Sequence, residues 1–410
     1  MLTTIRNDRH VAHGFTLVEI LVVIVILGVM GGMVVSAVNG VTTTARHART
    51  KQIIAVIDSV IQEQYDSYKY RPLAVEVPDL FQSTGTYSMK SDEIGREVLA
   101  REAMRVRLMM VRDLQRMEMP ERFSDFRNPP VNILAACNPV RVTGGVITGT
   151  RDDPSSRTPL PVSWRSADNP KRQIYNSRYV ATATPEHQSA ECLYLIMATS
   201  FVGGTPAIDA IPASNIGDTD GDGMPEILDG WGRPIGFVRW PVGYFDPDGS
   251  IDTDSPDDFD PFRVDFVNTG TSDAVKAVDV NAPTGYVRQP PWPLRPLVVS
   301  AGDDGEFGIA LDPIDASGSA LPLFNYVDVG AWYWPIDAAH MGPESAGRQP
   351  PNTQYYIFPD PYLRRFIAAN DPTATSRSDT QRRLPGEILS ATDTVESIDN
   401  VTNYELQVVK

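Results

Sequence analysis

Two groups of residues in this 410-residue chain have the types and spacing to do chemistry. The first is Asp218-Thr219-Asp220-Gly221-Asp222-Gly223-Met224-Pro225-Glu226-Ile227-Leu228-Asp229, with acids at positions 1, 3, 5, 9 and 12 and a glycine at position 6. That is the spacing of an EF-hand calcium loop. Ca²⁺ takes six to eight oxygens at about 2.3–2.6 Å, and alternate residues of a tight loop can converge on one point. Asp218, Asp220, Asp222, Glu226 and Asp229 would supply carboxylates, Met224 its carbonyl, and Gly223 the sharp bend. Asp and Gly are also the commonest turn residues, so a solvated acidic turn is the competing account. Four acids in nine residues at this register favour calcium.

The second group is Gly14-Phe15-Thr16-Leu17-Val18-Glu19, one acid at the mouth of an apolar stretch. From Ile20 to Ala45 there are 26 residues without a charged side chain, enough to cross a bilayer as a helix. A carboxylate at the centre of such a helix costs about 2.5–3.5 kcal/mol on insertion scales, so Glu19 needs a partner. Cleavage after Gly14 would create one, the new α-amino group of Phe15 on a neighbouring subunit.

The elements that would position these groups follow from periodicity. Past the apolar span, Ile53, Val56, Ile57, Val60, Ile61, Tyr65 and Tyr68 recur at helical spacing, and Pro72 gives the stop. A helix over 15–70 would be about 80 Å long, half anchor and half spine for a soluble head. Residues 91–119 read as a second helix, opened by Ser91 and ended by Pro120. Its arginines (Arg96, Arg101, Arg105, Arg107, Arg112, Arg116) either dock an acidic surface or, more commonly, form a solvated face. Residues 120–180 show no sustained period and read as irregular structure with short strands. The run Ala190–Met197 should be buried. Asp246–Asp260 is rich in aspartate and reads as a solvated loop. Asp229-Gly230-Trp231-Gly232-Arg233-Pro234 is a turn leading into an apolar strand.

The N-terminal motif resembles the class III signal of type IV pilins and type II secretion pseudopilins. The resemblance implies cleavage between Gly14 and Phe15 by a prepilin peptidase, methylation of Phe15, and assembly through Phe15 and Glu19. Partners would be other pilin or pseudopilin subunits, an inner-membrane assembly platform and membrane lipid. The arginines before the span (Arg6, Arg9) and the basic residues after it (Arg46, Arg49, Lys51) leave the positive-inside rule ambivalent. The leader motif implies a single-pass inner-membrane anchor with the head in the periplasm or cell envelope. Asp229-Gly230-Trp231-Gly232-Arg233-Pro234 is similar to a major-pseudopilin element entering a small antiparallel sheet. Ser300-Ala301-Gly302-Asp303-Asp304-Gly305 is similar to the pseudopilin calcium loop, whose close would be Asp399-Asn400. On that resemblance Asp303, Asp304 and Asp399 are a second tier of metal candidates.

The expected fold is therefore α+β, a long N-terminal helix packed on a small antiparallel sheet head with large irregular insertions. Its expected segments are leader 1–14, transmembrane helix 15–45, amphipathic continuation 46–70, insertion 71–200, β region with calcium loop 201–308, insertion 309–398 and closing segment 399–410. Cys137 and Cys192 are either a disulfide or two buried thiols. A formal charge of −16 repels phosphate backbones, which speaks against nucleic acid as a partner. The sequence has no phosphate-cradling glycine loop with Lys-Ser/Thr, no Gly-x-Ser-x-Gly elbow and no His-Glu-x-x-His helix, so a structural subunit is expected rather than an enzyme. The alternative is a calcium-dependent adhesin or tip subunit on the same anchor, using aromatics such as Trp332, Tyr333, Trp334, Tyr355, Tyr356 and Phe358.

Overall fold

In the computed structural model the described residues are 17–73, 81–83, 93–127, 140–143, 146–148, 169–241, 244, 257–260, 267–268, 288–289, 293–311, 386 and 399–407. The aromatic residues of the 309–398 insertion named above lie outside them.

The N-terminal helix α1 runs unbroken over Leu17–Ser67 and ends in a 3₁₀ turn, Tyr68–Tyr70. Its two halves meet different surroundings. Over Leu17–Val34 the leucines, isoleucines and valines are exposed. From Ile53 onward one stripe is buried: Ile53, Ile54, Ile57, Val60, Ile61, Tyr65 and Tyr68. These spacings put one side of the helix into the main core, as an amphipathic period requires.

The head closes around that stripe. Helices α2 (Glu93–Glu118), α3 (Phe123–Arg127), α4 (Pro170–Arg178) and α5 (Gln188–Thr199) contribute Val111, Leu114, Phe126, Tyr175, Leu193 and Ile196 to the same core. The strands are short. A small sheet pairs β1 (Phe81–Ser83) parallel to β2 (Val140–Thr143), which pairs antiparallel to β3 (Val146–Thr148). Hairpin β4 (Phe201–Val202)–β5 (Thr205–Pro206) is followed by the pair β6 (Ile216–Gly217)–β7 (Glu226–Ile227), which brackets the acidic loop. The buried sheet then uses β8 (Gly236–Val238), while β9 (Val267–Asn268) and β10 (Arg288–Gln289) form a separate pair. Strand β11 (Leu297–Ser300) lies between β8 and β12 (Val401–Thr402), antiparallel to both, and α6 (Asn403–Gln407) follows. The fold is α+β.

Polar contacts fix the head's seat on α1. Asn403 Nδ2 donates to Asp58 Oδ1 at 2.7 Å, and its Oδ1 accepts from the Val298 amide. Glu118, at the end of α2, takes a bidentate pair from Arg71 at 2.7 and 2.8 Å and a further bond from the Tyr68 hydroxyl. Its backbone carbonyl accepts from Gln64 Nε2 and from the Tyr175 hydroxyl. One residue thereby ties α1, α2 and α4 together.

Three expectations are corrected. The 120–180 segment holds two helices: α4 is started by Asn169, whose side chain accepts from the Arg172 amide, with Pro170 in the first turn. The basic helix is not solvated along its C-terminal half. Arg112 and Arg116 are buried, paired with Asp257 and Asp113, and Arg116 also donates to the Asp125 carbonyl. The same contacts pull the end of the aspartate-rich stretch inward, so that Asp257 and Asp260 are buried. A deeper ion cluster joins Arg239 to Asp125 and Glu121, and Arg239 also donates to the Met119 carbonyl. Pairing of this kind offsets the desolvation of buried charges.

Among the described glycines, the tightest approach to another backbone is at Gly230, between the head and α1. Its amide donates to Thr50 Oγ1 at 2.9 Å, and a Cβ at this position would lie 2.2 Å from the Arg46 carbonyl oxygen. Gly230→Ala must therefore push the 229–233 turn off the helix. The expected cost is about 1–3 kcal/mol, read as a lowered midpoint in denaturant unfolding of the detergent-solubilised chain.

Candidate functional site

At the membrane-side end, Glu19 sits exposed in the first turn of α1, where a carboxylate is favoured by the helix dipole. Gly14 and Phe15 lie outside the described residues. The exposed apolar surface that follows is long enough to span a bilayer.

The acidic loop is built between β6 and β7. Gly221 and Gly223 both take positive φ, 77° and 99°, which lets the chain reverse twice within three residues. Those reversals bring backbone N–H groups onto the aspartates. Asp218 accepts from the Gly221 and Gly223 amides, Asp220 from the Asp222 amide, and Asp222 from the Met224 amide. The neighbouring 180–184 segment closes over the loop, because the Thr184 amide donates to Asp222 Oδ2 and Thr182 Oγ1 to the Asp222 carbonyl. Glu226 is buried and accepts from the amide and hydroxyl of Thr219. The Met224 side chain enters the core.

Two sets of carboxylate oxygens come within 4.8 Å of one another: Asp218, Asp220 and Asp222, and Glu191, Asp220 and Glu226. Oxygens sharing one Ca²⁺ at about 2.3–2.6 Å lie within about 5 Å of each other, so the geometry suits a hard divalent cation. Glu191 is the residue that sequence reasoning missed. It comes from the first turn of α5, is fully buried, and among the described residues no hydrogen-bond donor reaches either of its oxygens. Burial, followed by the negative charges of Asp222, Asp220 and Glu226, pushes its carboxyl up to about 9. The same kind of desolvation raises Glu226. The only sequence signal was an acid inside the otherwise apolar run Ala190–Met197.

Asp229 faces another task. One carboxylate oxygen accepts from the amides of Trp231 and Arg233 at 2.8 and 3.0 Å, and the other from Ser300 Oγ at 2.7 Å. It therefore caps the tight turn that enters β8 and ties that turn to β11. Among the described residues, Asp229 is in neither set of clustered carboxylates.

The 301–308 loop carries the second-tier candidates. Asp399 Oδ2 accepts from the amides of Asp303 and Asp304, and Asp303 Oδ1 accepts from Trp231 Nε1. The guanidinium of Arg233 donates to the carbonyls of Gly302 and Asp303 and packs against Gly305, whose φ is 86°. An organic cation from the Trp231–Arg233 turn thus reaches this loop, and Asp303, Asp304 and Asp399 do not form one of the clustered sets.

Cys192 is a fully buried free thiol whose ionisation is pushed well up by burial, which leaves it inert. Cys137 lies outside the described residues.

Residues 9–35 match the family described as the prokaryotic N-terminal methylation motif. No curated protein and no solved structure matches the chain. The match supports a type IV pilin-like class III signal, processed by prepilin peptidase, on a protein that assembles with other pilin subunits. With the apolar start of α1 it is consistent with a single-pass membrane anchor.

Asp229→Ala removes an acceptor from three donors in a buried setting. It should destabilise the head by about 2 kcal/mol, with thermal unfolding midpoints falling equally in excess calcium and in chelator. A midpoint that falls only in calcium would instead make Asp229 a ligand.

Proposed function

We propose that this protein is a non-enzymatic structural subunit of a type II secretion pseudopilus or a related type IV pilus-like filament, anchored in the inner membrane before assembly with its head in the periplasm. The observation that carries this reading is continuity. The helix that bears the methylation motif is the helix whose second half is the spine of the head core. Helices packed side by side through Leu17–Val34 would form the filament interior, and each head would be displayed on its own α1. Glu19 would set the register by neutralising the methylated amine of Phe15 on the adjacent subunit. An ion pair in that apolar setting is favourable only when both charges are present, so register errors are penalised. Calcium held by the 218–226 loop would keep the head's edge in shape.

Glu19→Leu separates processing from assembly. In cells carrying the peptidase and assembly machinery, the variant should still be cleaved after Gly14. It should be lost at least about tenfold from the sheared filament fraction and from cross-linked ladders. Wild-type incorporation of the variant would contradict the proposed role of the glutamate.

A further inference from the structure

We propose that Glu191 completes a calcium site with Asp218, Asp220, Asp222 and Glu226, so that the bound ion staples helix α5 to the acidic loop. This rests on reading 218–226 as a cation loop and adds the ligand that loop lacks within itself.

The loop alone would be an acidic cluster, and acidic clusters on surfaces are usually just hydrated. Glu191 makes this one different. Asp218 is exposed and Asp220 half-buried, as a solvated turn would have them, yet the cluster continues inward to Asp222, Glu226 and Glu191, all buried. Burying a carboxylate is costly unless hydrogen bonds or a counter-charge compensate it. Glu226 has two bonds from Thr219 and Asp222 has amide donors on both oxygens. Both Glu191 oxygens lack a donor among the described residues, and one of them lies within 4.8 Å of an oxygen of Asp220 and of Glu226. Among the described residues no protein cation bonds to either Glu191 oxygen: Arg112, Arg116 and Arg239 are paired elsewhere, and the charge of His187 acts on Glu226. The position in the first turn of α5 favours a negative charge only slightly. What remains to compensate the carboxyl is a proton or a cation, and a divalent cation at this spacing would satisfy Asp220 and Glu226 at the same time.

The donor chemistry selects the ion. All five side chains are carboxylates, hard oxygen donors that suit Ca²⁺ and Mg²⁺ rather than softer metals. The donors come from a loop, a strand and a helix rather than from a rigid octahedron, and Ca²⁺ accepts such irregular sets where Mg²⁺ does not. The oxygens bonded to backbone amides keep a second lone pair for the ion. Because α5 packs against β7 and β8 and shares its core with α1, a cation bridging α5 to the loop holds the acidic edge to the spine of the head.

The test uses the full chain in detergent, with Ca²⁺ alone as the probe, by calorimetric titration and by thermal unfolding in Ca²⁺ against chelator. Wild type should bind Ca²⁺ and gain stability. Glu191→Gln keeps the side-chain shape and removes its ability to ionise, so without Ca²⁺ it should be at least as stable as wild type, which shows that it folds. Its Kd for Ca²⁺ should rise by about tenfold or more, with most of the calcium-dependent stabilisation lost. Asp220→Asn, on the loop itself, should weaken binding comparably. If wild type and Glu191→Gln bind equally while Asp220→Asn binds weakly, the loop holds the ion without Glu191 and the staple is overturned. If wild type shows no Ca²⁺ binding, both the staple and the calcium-loop reading fail.

Discussion

One helix has to satisfy two solvents, and the rest of the structure is arranged around that requirement. The first half of α1 presents apolar side chains on every side, which water would not tolerate and lipid or neighbouring helices would. The second half is apolar on one side only, and Ile53, Ile54, Ile57, Val60, Ile61, Tyr65 and Tyr68 must be covered by the head. The head's closest contacts serve that docking. Gly230 approaches the α1 backbone where a side chain would collide, Asn403 reaches Asp58 from the far end of the sequence, and Glu118 gathers Tyr68, Arg71 and Asn169. A force applied along α1 would therefore reach the head through packed apolar surface and a few directional hydrogen bonds.

Charge is handled differently in different parts of the head. The chain carries an excess of acids, yet three of the buried arginines among the described residues are matched to carboxylates: Arg239 to Asp125 and Glu121, Arg116 to Asp113, Arg112 to Asp257. These pairs pin α2, α3 and the entry to the buried sheet in one arrangement, because separating either partner strands a charge away from water. The acidic loop follows the other strategy and concentrates like charges, with backbone amides aimed at each aspartate. Such an arrangement is stable without a cation only at the cost of repulsion among the carboxylates, which is the physical basis of the proposal that the loop binds one.

Much of this was legible in the sequence because it is local. The length of α1, its stop before Pro72 and its buried stripe follow from periodicity, and the turn at 229–236 follows from its Gly–Pro punctuation. Carboxylates at 218, 220, 222 and 226 could be placed together because a short loop brings alternate residues to one point. What escaped notice is long-range. Nothing about Glu191 in an apolar run says which loop it will face, and Arg112 reads as solvated until Asp257 arrives from 145 positions away. Asp229 illustrates the limit of spacing arguments: it stands at the twelfth position of the loop pattern, but its oxygens are directed at the Trp231–Arg233 turn and at Ser300. Helix α4 was readable in principle, from Asn169-Pro170 at its start, and was obscured by the proline-rich sequence before it.

On the proposed reading, α1 of the mature protein begins at a processed Phe15. The most direct measurement is the intact mass of the N-terminal peptide from membranes of cells with and without the prepilin peptidase. The expected result is a peptide starting at N-methylated Phe15 that disappears when the peptidase is absent. An uncut Met1 terminus in both strains would contradict it and leave α1 as an ordinary membrane anchor for an acidic envelope head.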